Sequence, residues 1–196
     1  MTFRLAGTLV MMLLLGSAAR AQSNHEDGHR HPTSASASQH CEDQAAGLRI
    51  PASLAAEHEE LHAHLEEAVR VGGKTGEAAR KVADILHAHF VAENRIALPP
   101  LGLLKATAEG TADGSAIDQA IRLADELRRE YPKMLEEHQE IKKALADLEL
   151  AATSESRPEQ REFARKLALH AEMEETVLYP ATLLLGEFLK THRHKH

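Results

Sequence analysis

The sequence predicts an all-α protein, an up-down four-helix bundle with an approximate internal two-fold repeat. Three observations carry this expectation. Ala, Leu and Glu are abundant while aromatic residues make up only 3% of the 196 residues, a balance that favours helices over strands. From Pro51 onward, apolar residues recur at helical spacing. Two segments of the chain also recur about 80 residues further on.

The first helix is expected over about Ala52–Arg70. Its stripe is Leu54, His58, Leu61, Leu65 and Val69, in steps of 4, 3, 4 and 4, which draw one face of a helix. Gly72-Gly73 ends it. Thr75 is the expected cap of a second helix, which carries Val82, Ile85, His89, Glu93 and Ile96 and stops at Pro99-Pro100. A short helical turn follows through Leu101 to Lys105, then a loop at Ala112-Asp113-Gly114 with Ser115 as a cap. The next stretch, about 116–151, contains Pro132, which removes a backbone donor and is expected to kink or split it. Its second part carries Leu135, His138, Ile141, Leu145 and Leu148. Pro158 suits the first turn of the last helix, whose stripe is Phe163, Leu167, His170, Glu174, Val177 and Ala181.

The repeat joins these helices in pairs. His58-Glu-Glu-Leu61 with Leu65 matches His138-Gln-Glu-Ile141 with Leu145 at an offset of 80. HFVAENRIALPP from His89 matches HAEMEETVLYPA from His170 at an offset of 81. Two copies of one helix pair pack naturally as a four-helix bundle, here expected over residues 51–190.

Composition narrows the function classes. With 23 Lys+Arg against 30 Asp+Glu the net charge is −7, and a nucleic-acid binder needs a basic face. A single cysteine excludes an intramolecular disulfide framework, a four-cysteine zinc site and an iron–sulfur cluster. Residues 1–21 have the pattern of a secretory signal peptide. Arg4 precedes an apolar run from Leu5 to Leu15, and Ala19-Arg20-Ala21 gives a small-x-small cut site after Ala21. The run is too short to span a membrane. The expected location is therefore periplasmic or secreted, with no membrane contact once the signal is cleaved. Residues 22–50 form an expected disordered, His-rich segment, and residues 191–196 a His-rich tail.

The informative feature is six polar groups on the apolar stripes: His58, His89, Glu93, His138, His170 and Glu174. A core histidine commonly just finds one hydrogen-bond partner. A buried carboxylate without a partner cation or proton costs several kcal/mol, and no Lys or Arg shares the stripes of Glu93 and Glu174. His89 and Glu93 are one turn apart on one face, as are His170 and Glu174. A bundle aims all six groups at one point. Four imidazoles and two carboxylates suit a pair of first-row metal ions better than magnesium or calcium, which prefer oxygen shells. Bridging carboxylates leave about one position per ion open to a small diatomic molecule. Iron, manganese and zinc all remain open at this level. His62, one turn from His58, is an alternative ligand, and Glu175 is either a ligand or a supporting group. Tyr179 either packs near the site, where it can hydrogen-bond a bound molecule, or is a core aromatic at a helix end. The acidic runs Glu57-Glu59-Glu60 and Glu136-Glu137 read as solvated faces.

From about Ala52 to Leu185 these residues resemble the haemerythrin-like, HHE cation-binding family. His58 resembles its first-helix ligand, His89 with Glu93 its first H-x-x-x-E pair, and His138 its third-helix ligand. His170 with Glu174, in the stretch HAEMEETVLYP, resembles the second pair and is the most specific signal. Position 142 is Lys142 where oxygen-carrying members have a histidine, and Glu175 stands where they have an aspartate. The set is similar to the four-His, two-Glu subgroup, which includes bacterial proteins that repair iron centres after nitrosative stress. The resemblance implies an oxo- or hydroxo-bridged di-iron centre that binds, senses or reduces O2 or NO. The competing expectation is a periplasmic protein that binds, buffers or senses zinc, nickel or copper, suggested by the His-rich ends. Whether the chain is an enzyme, and its oligomeric state, are open at this level.

Overall fold

The computed structural model describes residues 48–192. The expected signal peptide, nearly all of the His-rich segment and the end of the His-rich tail lie outside these residues. The described part is all-helical: α1 (Ala52–Arg70), α2 (Gly73–Ile96), a 3-10 turn (Pro99–Leu103), α3 (Leu104–Ala108), α4 (Gly114–Ser154), α5 (Pro158–Met173), one turn of π-helix (Glu174–Leu178) and α6 (Tyr179–His192). Four long helical segments pack together as a bundle. α4 lies against α2, α5 and α6, and α1 against α2 and α5.

Several expectations need correction. Thr75 does not cap α2, because the helix begins at Gly73. The Glu155 carboxylate, arriving from the end of α4, accepts from the Lys74 and Thr75 amides and from the Thr75 hydroxyl. The cap thus comes from a residue about 80 positions away, which no local pattern reveals. Gly73 has φ 63, and a side chain there would strike that same carboxylate. The cap of α4 is Asp113, not Ser115. Its side chain accepts from the Ser115 and Ala116 amides, an N-cap arrangement. Pro132 does not split α4, which runs 41 residues without a break. Pro132 and Arg128 are both exposed, so the carbonyl freed by the missing proline donor faces water.

Residues 48–50, expected to belong to the disordered segment, are placed against the bundle. The Leu48 amide donates to Gln119 Oε1 at 3.3 Å, and its side chain joins the apolar group around Ile117 and Leu189. The Arg49 carbonyl passes so close to Gly102 that a Cβ there would collide with it.

The core is divided along α4. One apolar group joins Ile141, Leu145 and Leu148 to Leu61, Val82, Leu86, Phe90, Phe163 and Leu167. A second joins Leu127 and Met134 to Ile96 and Tyr179. Between Met134 and Ile141 stands His138, fully buried. The two apolar groups enclose a polar layer at that level.

Candidate metal centre

All six polar groups on the stripes are buried, none more than 4% exposed. α1 supplies His58, α2 supplies His89 and Glu93, α4 supplies His138, and α5 supplies His170. Glu174 is the first residue of the π-turn. A π-turn adds one residue to a helical turn and rotates everything that follows. This explains why the expected stripe fails after Glu174. Val177 is 54% exposed and Ala181 only half-buried, while Tyr179, Thr182 and Leu185 face inward.

Two three-residue groups have donor atoms close enough to share an ion: His58, His170 and Glu174; and His89, His138 and Glu174. Glu174 belongs to both. Its Oε1 lies 2.7 Å from His170 Nε2 and 3.4 Å from His58 Nε2, and its Oε2 lies 3.3 Å from His138 Nε2. Within each pair the Nε2 atoms point at one another, at 3.2 Å for His58 with His170 and 2.8 Å for His138 with His89. Glu93, also a predicted ligand, belongs to neither group; its Oε2 lies 3.7 Å from His58 Nε2. Tyr179 places its hydroxyl 3.4 Å from His89 Nε2 and 3.3 Å from His138 Nε2.

The opposite ring nitrogens face outward to carboxylates. His89 Nδ1 meets Glu137 at 2.9 Å, His138 Nδ1 meets Glu175 at 3.1 Å, and His170 Nδ1 meets Glu57 at 3.1 Å. Lys142 donates to Glu175 at 2.8 Å. Such outer carboxylates fix the tautomer and orientation of a metal-binding imidazole. Glu57 and Glu137 are therefore not simply solvated faces, as their acidic runs suggest. The missed signal was present in the sequence: each directly precedes a stripe histidine, at the repeat offset of 80. Glu175 supports His138 and belongs to neither cluster. His62, the alternative ligand, is exposed and rests its ring edge-on against Phe90, outside both clusters. His58 stacks on the same Phe90 at 4.7 Å.

Comparison of the chain with protein-family models, with curated proteins and with solved structures finds no match in any of the three. The chemistry of the centre has to be argued from its own geometry.

Burial and mutual proximity perturb the ionisable groups of the layer. Burial, and then the neighbouring Glu174 carboxyl, push Glu93 well above the ordinary carboxylate range. Burial alone would raise Glu174 too, but hydrogen bonds from His138, His170 and His58 outweigh it and hold that carboxylate well below its ordinary value. Burial lowers His89 despite Glu137. His170 is burdened by burial as well, yet Glu174 and Glu57 raise it. Burial and the two glutamates raise the Tyr179 phenol. Tyr179 and Glu174 lie near enough to Glu93 to influence it, but neither closes a hydrogen bond of ordinary geometry on it. Among the described residues both Glu93 oxygens and His58 Nδ1 are buried without a hydrogen-bond partner. Orphaned buried acceptors cost about 1–3 kcal/mol each, more when charged. A cation placed between these oxygens and the inward imidazole nitrogens would offset that cost. The residues fit a bound metal ion.

Proposed function

We propose that this chain is a haemerythrin-like protein whose bundle holds a non-haem di-iron centre, and that it binds, senses or reduces a small diatomic molecule, O2 or NO. The observation that carries the reading is Glu174. One buried carboxylate directs its two oxygens at two different histidine pairs, the disposition expected of a bridge between two ions. Four nitrogens and two carboxylates favour a first-row transition metal over magnesium or calcium. His58 and His170 are assigned to one ion and His89 and His138 to the other, with Glu174 and Glu93 between them. The pairing of His58 with His170 and of His89 with His138 agrees with an internal two-fold repeat. So does the backbone: the Glu93 carbonyl accepts from the Leu98 amide and the Glu174 carbonyl from the Tyr179 amide, both five residues on.

Held by these six residues, an iron pair would supply the redox chemistry toward a diatomic ligand. The chain supplies the surroundings. Phe90 and Met134 keep the layer dry from either side. The Tyr179 hydroxyl, in its neutral form, is a hydrogen-bond donor held at the centre. Glu57, Glu137 and Glu175 keep three imidazoles aimed inward. We place the protein in the periplasm or outside the cell on the signal-like pattern of residues 1–21 alone.

The test is anaerobic loading of the purified chain with Fe(II), followed by admission of air. The expected result is two irons per chain by elemental analysis and near-ultraviolet charge-transfer bands. Fewer than one iron and no such bands overturn the reading. Zinc, nickel or copper held mainly by the His-rich ends, and lost when residues 22–47 and 193–196 are deleted, would favour a metal buffer instead.

A further inference from the structure

The two halves of the centre are not equivalent in what stands behind their ligands. In the His89/His138 half both outward nitrogens meet a carboxylate, Glu137 and Glu175, and Glu175 is anchored by Lys142. The Tyr179 hydroxyl touches both inward nitrogens of that half. In the His58/His170 half only His170 is backed, by Glu57. His58 Nδ1 is buried with no partner among the described residues. The sequence states the same difference. At the repeat offset of 81, Glu175 corresponds to Asn94 and Tyr179 to Leu98. Asn94 is exposed and Leu98 is an apolar residue buried in the core. The substitutions that separate the two copies thus remove both polar supports from one half.

We infer that the two metal sites load in a fixed order, with the ion between His89 and His138 binding first and more tightly, and that Glu175 is the positioning residue that sets this order. The inference rests on the reading that the bundle binds a metal pair. A carboxylate on the outward nitrogen strengthens the imidazole as a donor and locks its direction, and losing one costs about 10–100-fold in metal affinity. The His58 ring has stacking on Phe90 to hold it but no acceptor to polarise it. A half-loaded centre, or one with unlike metals in its two sites, is the consequence.

The probe is cobalt(II), titrated into the full chain without oxygen and followed by its visible d–d absorption. Two steps are expected, separated by about 10–100-fold in Kd. Because two like charges in one pocket also separate binding steps, the assignment needs variants. His138→Ala is expected to abolish the tight step, and His58→Ala to leave it in place and remove the weak one. Glu175→Gln, on a partly exposed side chain, is expected to weaken the first step by about 10–100-fold. It should also change the spectrum at one equivalent while leaving the metal-free circular dichroism and the second binding step unaltered, which a purely structural role would not do. A tight step that survives His138→Ala but not His58→Ala overturns the inference, as does an unchanged first step in Glu175→Gln. No cobalt binding by the parent chain at all would instead refute the metal reading beneath it.

Discussion

Replacing Glu93 by Gln separates a metal centre from a network of polar side chains that merely satisfy one another. Glu93 is fully buried, and burial beside Glu174 favours its protonated form. An amide is close to a neutral isostere of that form. In the metal-free protein Glu93→Gln should therefore change stability by no more than about 1 kcal/mol, the net worth of an ordinary hydrogen bond. In the loaded protein the effect is large. On the proposed reading the two donor groups hold two ions, and an ion present at about 100 times its Kd adds about 2.7 kcal/mol to folding. Two ions then add about 5 kcal/mol. In a domain of this size about 1 kcal/mol moves Tm by about 2–4 °C, so loading should raise the Tm of the parent chain by about 10–20 °C. An amide is a poor metal ligand. Glu93→Gln should lose at least one ion and with it about half of that rise. The assay is differential scanning calorimetry, with and without Fe(II) under nitrogen. A parent Tm indifferent to metal, together with a metal-free variant that melts about 10 °C lower, would show that Glu93 is a structural hub and not a ligand.

Four other outcomes are expected. Glu155→Gln should lower Tm at neutral pH, because the Thr75 side chain and the Thr75 and Lys74 amides hold this carboxylate at a pKa of about 2, below its ordinary 4.5. A depressed folded-state pKa means that the contribution is fully present above 4.5 and fades as pH falls through about 2; a Tm difference constant down to acid pH would refute the cap. Gly186→Ala should destabilise by about 1–3 kcal/mol, although alanine is the better helix former, because its Cβ would strike Ala124 across the α4–α6 contact; a raised urea midpoint would contradict this. Leu148→Ala, at a fully buried position, should cost about 2–5 kcal/mol in urea melts while leaving metal content at two ions. His64→Ala should leave metal content unchanged, since its side chain is 47% exposed; loss of an ion by elemental analysis would refute the ligand assignment.

The helices were legible because their apolar spacing is regular, and the six inward polar groups because they interrupt that spacing without shifting it. His58, His89, Glu93, His138, His170 and Glu174 all lie where the stripes place them. What escaped has physical reasons. A stripe extrapolated at constant period cannot see the π-turn, so it puts Val177 and Ala181 inward and omits Thr182, which is buried. Thr182 in fact donates from the buried side of α6 to the Ala97 carbonyl at 2.7 Å, satisfying a backbone group at the end of α2. The Glu155 cap joins residues distant in sequence. Pro132 does not split α4, whose remaining backbone bonds carry the helix through it while the proline and Arg128 face outward. Glu57 and Glu137 looked like surface charge because they alternate with surface charge, although a carboxylate one residue before a buried histidine can lean around the helix to reach a ring on its neighbour.

Because Glu174 is common to both clusters, no shorter N-terminal piece of the chain can complete either one. His58, His89 and His138 all precede Glu174 in the chain, and the π-turn that begins at Glu174 leads directly into α6. On the reading proposed above, either ion would therefore be captured only once nearly the whole described bundle has been made.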